Sequence, residues 1–548
     1  MGGRGKTTAR GAVRAAALAL CGALLASCSD APPSLDPATM TVADVQAALG
    51  DGSTSCVALA RQALTRIAEV DDAGPSLNAV LETNPDVEQI AVALDQEYAE
   101  RGPVGPLHCV PLIVKDNYGT RDAMRTTAAS LIMADFIADE DASSIAKLRA
   151  AGALFVGKAN MDEFAFGVSG YSSRGGQTLD AYELDRIPGG SSGGSAVAVA
   201  AGMAVLGTAS DTAGSIRIPA AFNSLVGIKP TLGLIGRSGI IPISSWLDVP
   251  GPVARTVADA AVMLGVMTGV DPGDPATEAS AGRSSSDFTP SLDPDGLAGA
   301  RVGVLASALG VALSGLNAEV DAAFTTGLAV MDAAGATLVD PVDLAAPVSD
   351  DELLAAFETL GTRQFPRDVR AYFARYGAGA PVQSGPEIAA AARTLGPTVV
   401  RNLEALAGAG DAPVATEAEM QEAIAVRARF VASVVGAMDD ASVDALAFPT
   451  LLCPATPIGG VVDPDYVCAS APPMPFDFGV SYGGDPILIA SIAGLPEITL
   501  PAGYTANGVP IAVSFLGRPF SEATLIRLAY AFEQATLLRR PPRFLAAP

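Results

Sequence analysis

A chain of 548 residues that is 49% hydrophobic and 17% charged can bury a sizeable core, which excludes a globally disordered polymer. Its formal net charge of −25 excludes a basic surface able to neutralise phosphates, so no nucleic-acid partner is expected. A single histidine, His108, narrows the hydrolytic schemes open to it.

At the N-terminus, Arg4, Lys6, Arg10 and Arg14 form a basic stretch without acidic residues. Residues 15–26 then make an apolar run too short to span a bilayer. Leu25-Ala26-Ser27-Cys28 resembles a bacterial lipobox. This implies removal of a signal peptide at 1–27 and a lipid on Cys28. The protein is then exported and held at a bacterial membrane, on its periplasmic or cell-surface side, through the lipid anchor alone. An ordinary signal peptide, with Cys28 incidental, is the alternative. Residues 28–38 read as a tether rich in Pro, Asp and Ser, and 39–548 as one domain. Besides Cys21 and Cys28 there are four cysteines, an even number that permits two disulfides in an exported protein. Cys453 and Cys468 bracket a Pro- and Gly-rich loop and are favoured as one pair. Cys56 and Cys109 make the other by elimination, with free buried thiols as the alternative. No spacing resembles a zinc site.

Further along, a capped helix is expected from Thr41, another over 56–70, a strand over 77–83 and an amphipathic helix over 90–101. The apolar run Pro111-Leu-Ile-Val114 ends at Lys115, which puts a cation at a strand end. Residues 143–151 read as a helix and 153–157 as a buried strand. Helix is expected over about 195–202, strand over 204–209, and a helix start at 215 with Pro219 in its first turn. The polar stretch 271–296 reads as a surface loop, 320–440 as largely helical, 492–503 as strand and turn, and 525–535 as a closing helix. Strands alternating with helices argue for an α/β sheet covered on both faces.

The most telling stretch is 187–219, IPGGSSGGSAVAVAAGMAVLGTASDTAGSIRIP. Two serine-glycine clusters flank small apolar residues. Serines set in glycine allow close backbone approach to a reacting centre and aim N–H groups at it. Several familiar motifs match only in form. Gly189-Gly190-Ser191-Ser192-Gly193 fits a nucleophile elbow, but no histidine follows it. Residues 152–158 fit most of a phosphate loop, but Ala159 lacks the hydroxyl for magnesium. Ser144-Ile-Ala-Lys147 lacks the companion motifs of penicillin-recognising enzymes.

The pattern GGSSGGSA followed by Asp211-Thr-Ala-Gly-Ser215-Ile-Arg217 resembles the amidase signature family, serine hydrolases with a Ser-Ser-Lys triad. The likeness spans about 40–540 and is thin between 270 and 440. It implies one α/β domain around a large mixed sheet flanked by helices, with no metal or organic cofactor. Lys115, in Val-Lys-Asp-Asn, matches the catalytic lysine; burial would lower its pKa and leave it a neutral base. Ser215 matches the nucleophile. Ser191 matches the bridging serine, which follows a cis peptide in the family; Gly190 would relieve crowding there. The backbone N–H groups of Thr212, Ala213, Gly214 and Ser215 are the implied oxyanion hole, with Asp211 and Arg217 bracing the loop and His108 as structural support. The family usually carries two glycines before the nucleophile. Ala213 departs from that, at a cost if position 213 needs a positive φ. The resemblance implies hydrolysis of a carboxamide to an acid plus ammonia or amine through an acyl-enzyme on Ser215. Tyr171-Ser-Ser-Arg-Gly-Gly-Gln-Thr and Gly239-Ile-Ile-Pro-Ile-Ser look most like members acting on peptide amides and related small amides. The alternatives are the amidase subunit of a tRNA-dependent amidotransferase, or a disabled scaffold that binds peptides. Oligomeric state is not readable from the chain.

Overall fold

Strand-forming runs rich in Val, Ile and Leu recur along the whole chain and assemble into one mixed sheet in the computed structural model of the protein. The structure describes residues 1–3, 35–308, 311–315, 317–344, 348–396, 403, 406, 415–459, 466, 468 and 485–545. Cys28, nearly all of the leader 1–27 and most of the tether 28–38 lie outside these residues.

The strands are β1 (Val80–Thr83), β2 (Pro111–Lys115), β3 (Leu154–Ala159), β4 (Tyr171–Ser172), β5 (Gly176–Gln177), β6 (Leu206–Asp211), β7 (Val226–Lys229), β8 (Val249–Ala254), β9 (Arg301–Leu305), β10 (Ser307–Ala308), β11 (Val311–Ala312), β12 (Thr337–Val342), β13 (Ala445–Pro449), β14 (Glu497–Tyr504) and β15 (Pro510–Leu516). Eleven of them form the large sheet, in the order β1-β3-β2-β6-β8-β7-β14-β15-β13-β9-β12; β4–β5 and β10–β11 are separate two-stranded pairs. β2 runs parallel to β3 and β6, whereas β6–β8, β8–β7, β7–β14 and β14–β15 are antiparallel. Every residue of β2, β3, β6, β7 and β8 is buried, which requires cover on both faces of the sheet. The fold is thus the single α/β domain with a large mixed sheet that the sequence implied.

Local chemistry accounts for the elements nearest the site. Thr41 and Asp44 form a reciprocal capping box that starts the helix Val42–Gly50. The helix Gly193–Ala200, built from Gly, Ser, Ala and Val, is slim enough to pack closely on β2, β6 and β8 and is buried throughout. Cys56 is joined to Cys109 (Cα–Cα 5.1 Å) and Cys453 to Cys468 (5.6 Å), the two pairings read from the sequence. Among the described residues, Cys56, His108 and Cys109 converge as a metal site would. Their sulfurs are joined to one another, so the thiolates a metal requires are absent. No described helix is long and apolar enough to cross a membrane.

Two regions differ from expectation. The stretch 271–296 is not a plain surface loop: it contains short 3-10 turns at Pro275–Ser280 and Thr289–Ser291 and buries Asp271, Asp274, Thr277 and Ser280. Their side chains are satisfied internally. Asp271 N–H donates to Thr277 Oγ1 (2.8 Å), and Arg237 grips Asp274 through two nitrogens (2.6 and 2.7 Å). The expected helical stretch 320–440 also holds strand β12 at the sheet edge, where Pro341 is tolerated because an edge strand has a side with no ladder to maintain.

Candidate active site

β2 ends on Lys115, which has no exposed surface. Its backbone N–H donates to Thr208 Oγ1 on β6 (2.9 Å), fixing the strand end. Its Nζ lies 2.8 Å from Ser191 Oγ, 2.9 Å from Ser210 Oγ and 3.3 Å from the Ser210 carbonyl oxygen. Asn117 Nδ2 also donates to Ser210 Oγ (3.2 Å). Among the described residues no carboxylate is paired with this amine. Burial pushes its pKa down to about 7, against the opposing pull of Asp162, Asp211 and Asp248.

Ser191 reaches Lys115 from the turn that opens the helix Gly193–Ala200, and the Gly190–Ser191 peptide is cis. The Ser191 carbonyl accepts from Asp162 N–H (3.1 Å). A Cβ on Gly190 would sit 2.0 Å from Asp162 Oδ2 and 2.9 Å from Val168 Cα. Close approach of a neighbouring segment therefore demands glycine there. Asp162 is itself buried, and burial lifts its carboxyl to about 6.

β6 ends at Asp211, and the loop that follows carries Ser215 before the helix Arg217–Phe222 begins. The Asp211 carboxylate organises this loop. It accepts from Gly214 N–H (2.8 Å), Ile216 N–H (3.1 Å) and two nitrogens of Arg217 (3.0 Å each). Burial alone would raise its pKa, but the Arg217 charge outweighs that and holds it below the usual range. Arg217 reaches on to Glu497 Oε2, the Ile487 carbonyl and Ser491 Oγ, all at 2.7 Å. The Ser215 hydroxyl makes no hydrogen bond among the described residues. It opens into a narrow cleft with Thr212, Ala213, Phe166, Val168 and Phe357.

Two expectations about this loop need correction. Of the four backbone N–H groups implied as an oxyanion hole, that of Gly214 is already taken by Asp211 Oδ1, which leaves those of Thr212, Ala213 and Ser215. The positive φ falls on Gly214 (109°) and not on Ala213, so alanine at 213 carries no backbone penalty. A Cβ on Gly214 would meet Ile487 and Ile218 at 2.4 and 2.7 Å.

His108 lies at the opposite end of β2 from Lys115. Its Nδ1 accepts from Val104 N–H (3.3 Å), its Nε2 lies 3.7 Å from Cys56 Sγ, and its ring packs on Tyr98. It is remote from the serines and beside the Cys56–Cys109 bridge.

Sequence reasoning missed Ser210, Asn117, Asp162, Asp248 and Glu497. The alternation Thr208-Ala-Ser210 in an otherwise apolar strand was the available signal, since it sends both hydroxyls to the face that meets Lys115. Asp248 accepts from Thr212 Oγ1 (2.6 Å) and from the N–H groups of Ile243 and Ser244. Beside this turn lies a cavity of about 690 Å³, whose wall includes Asn117, Ser210 and Thr212. It shares Ala165, Thr212 and Ile243 with the cleft at Ser215, so the two are neighbours.

Comparison with known proteins places this geometry. The Amidase family model matches residues 58–526. A glutamyl-tRNA(Gln) amidotransferase subunit of Cereibacter sphaeroides is 35% identical over 525 residues, covering 92% of this chain and 98% of the relative. Its counterpart of the same name from Symbiobacterium thermophilum is 35% identical over 492 residues (88% and 94%). Among solved structures, the peptide amidase PAM in complex with the competitive inhibitor chymostatin superposes with a TM-score of 0.82 at 37% identity, covering 92% of this chain and 99% of that one. The native peptide amidase from Stenotrophomonas maltophilia gives 0.80 at 35% identity with the same coverage.

Proposed function

The chain belongs to the amidase family and is an amidohydrolase, and from that premise we propose that it hydrolyses small or peptide carboxamides through an acyl-enzyme on Ser215. The reading rests on one observation above the others: the 2.8 Å contact between the fully buried Lys115 amine and Ser191 Oγ, with the lysine pKa near 7. A neutral amine has two N–H groups and one lone pair. The two Ser210 oxygens suit the N–H groups, and the lone pair is then free to accept the Ser191 proton. In the proposed mechanism Ser191 takes the proton of Ser215 as that hydroxyl attacks the amide carbon, and passes its own to Lys115. The tetrahedral oxyanion is held by the N–H groups of Thr212, Ala213 and Ser215, each worth ~3–4 kcal/mol in the transition state. Lys115 and Ser191 return the proton to the leaving nitrogen, ammonia or amine departs, and water attacks the acyl-enzyme by the same relay.

A second reading, the amidase subunit of a tRNA-dependent amidotransferase, is favoured by the curated relatives, which carry the name of such an enzyme at 35% identity over nearly their whole length. Two disulfides favour the first reading, because they fit an oxidising compartment outside the cytoplasm. They also support the proposal of export, with 1–27 as leader, Cys28 as lipid site, 28–38 as tether and 39–548 as the catalytic domain.

The deciding experiment is ammonia release by the isolated protein from aliphatic, aryl and C-terminal peptide amides, with Ser215→Ala in parallel. Turnover without any partner, lost by at least about a thousandfold in the variant, is the expected result. Turnover that appears only with an amidotransferase partner and charged tRNA would support the second reading.

A further inference from the structure

The wall of the 690 Å³ cavity carries four arginines, Arg237, Arg367, Arg375 and Arg427, on a chain whose net charge is −25. Two of them are spoken for: Arg237 holds Asp274 at 2.6 Å and Arg367 holds Asp368 at 2.8 Å. The third carboxylate of the wall, Asp248, uses its oxygens on Thr212 Oγ1 and on the N–H groups of Ile243 and Ser244. Among the described residues, neither Arg375 nor Arg427 is paired with an acid. Arg375 lies over the Tyr376 ring, 5.0 Å from its centroid. Arg427 donates from Nη1 to the Trp246 carbonyl (3.1 Å). Burial, and after it the nearby Arg237 charge, pulls its pKa down to about 10, which leaves it charged at neutral pH.

One turn links Arg427 to the chemistry. Arg427 holds Trp246, and two residues later Asp248 holds Thr212, whose N–H belongs to the proposed oxyanion hole. Arg427 and Thr212 are thus tied to the same turn, and both line the cavity.

Building on the proposed amidase reading, we propose that this cavity receives the acyl part of an amide that carries a carboxylate, gripped by Arg427 and Arg375. Guanidinium forks match carboxylate oxygens, and a partly enclosed wall strengthens the pairing relative to water. The surrounding chain repels anions at long range. Two guanidinium groups without an acid partner among the described residues, facing one cavity, are therefore a local device for admitting a negative group and not part of a general surface field.

The test compares ammonia release from hexanamide and from adipamic acid, which have the same chain length and differ by a terminal carboxylate. A dipeptide amide bearing glutamate, against its glutamine counterpart, separates a peptide source of the carboxylate from a small diacid. The expected result is a kcat/KM ratio of about tenfold or more in favour of the charged member of at least one pair, falling towards one at high salt. Arg427→Gln and the exposed Arg375→Gln should each collapse that ratio, and Arg427→Lys should recover part of it. Calorimetric binding of adipate, lost in the same variants, gives a readout independent of turnover. If no amide is cleaved, the amidase reading fails while adipate binding still decides this proposal. A ratio near one for both pairs with no adipate binding, or a ratio unchanged in both glutamine variants, overturns it.

Discussion

Lys115 combines three conditions that make a lysine useful as a base: complete burial, no carboxylate partner among the described residues, and oxygens placed for its neutral form. With a folded pKa of about 7, the amine is protonated and inert below that value and neutral above it. We therefore expect kcat/KM to rise with pH through an apparent pKa near 7 and to level off above about 8, as read from initial rates in constant-ionic-strength buffers. The carboxyls of Asp162 and Asp248, lifted to about 6 by burial, titrate below this step and are charged on the active side of it. Lys115→Arg should lose the activity outright, because a guanidinium stays protonated across the range. Val-Lys-Asp-Asn and the two serine clusters made this centre legible in the sequence. Ser210 was harder to read, because a hydroxyl inside a strand has no local feature to set it apart beyond its alternation with Thr208.

At the scale of elements, the nucleophile loop is held by a buried chain of charges, Asp211–Arg217–Glu497, that ties the end of β6 to β14. Arg217 is the group both carboxylates depend on. Replacing it with methionine leaves two buried acids uncompensated and should cost ~3–5 kcal/mol in denaturant unfolding. It should also cost activity, since Asp211 would no longer be fixed to hold the N–H groups of Gly214 and Ile216. Asp211 and Arg217 stand six residues apart and were readable as a bracing pair; Glu497 is 280 residues from Arg217, and nothing local announces it. The same distinction explains the other misses. The helix Asp485–Ala493 is apolar on nearly every side, so it has no helical period to detect. Strand β12 is half-exposed at the sheet edge, so it lacks the buried alternation that marks β2 or β6. The stretch 271–296 has the composition of a surface loop, yet its aspartates and threonines satisfy one another inside.

Across the whole molecule, the Cys56–Cys109 bridge closes a span of 53 residues and sits just before β2, the strand that ends in Lys115. In the chain-entropy account a loop of that length contributes about 4 kcal/mol. The paired change Cys56→Ser with Cys109→Ser should lower the melting temperature measured by calorimetry and reduce the sensitivity of that transition to a thiol reductant to what the remaining Cys453–Cys468 bridge confers. The sheet also divides labour along the chain. The reacting groups come from 115–217, on the end of β2, the turn that opens the helix Gly193–Ala200 and the loop after β6, while much of the cavity wall comes from 232–250, 273–276, 367–376 and residue 427. The two sets meet at Asn117, Ser210 and Thr212. A lineage can therefore recut the wall by point changes and insertions while the proton relay is left untouched. The fold is open to substrate drift by duplication and divergence, and a library randomised over the wall, with Asn117, Ser210, Thr212 and Asp248 kept, should yield variants with new preferences and unaltered bond-breaking chemistry.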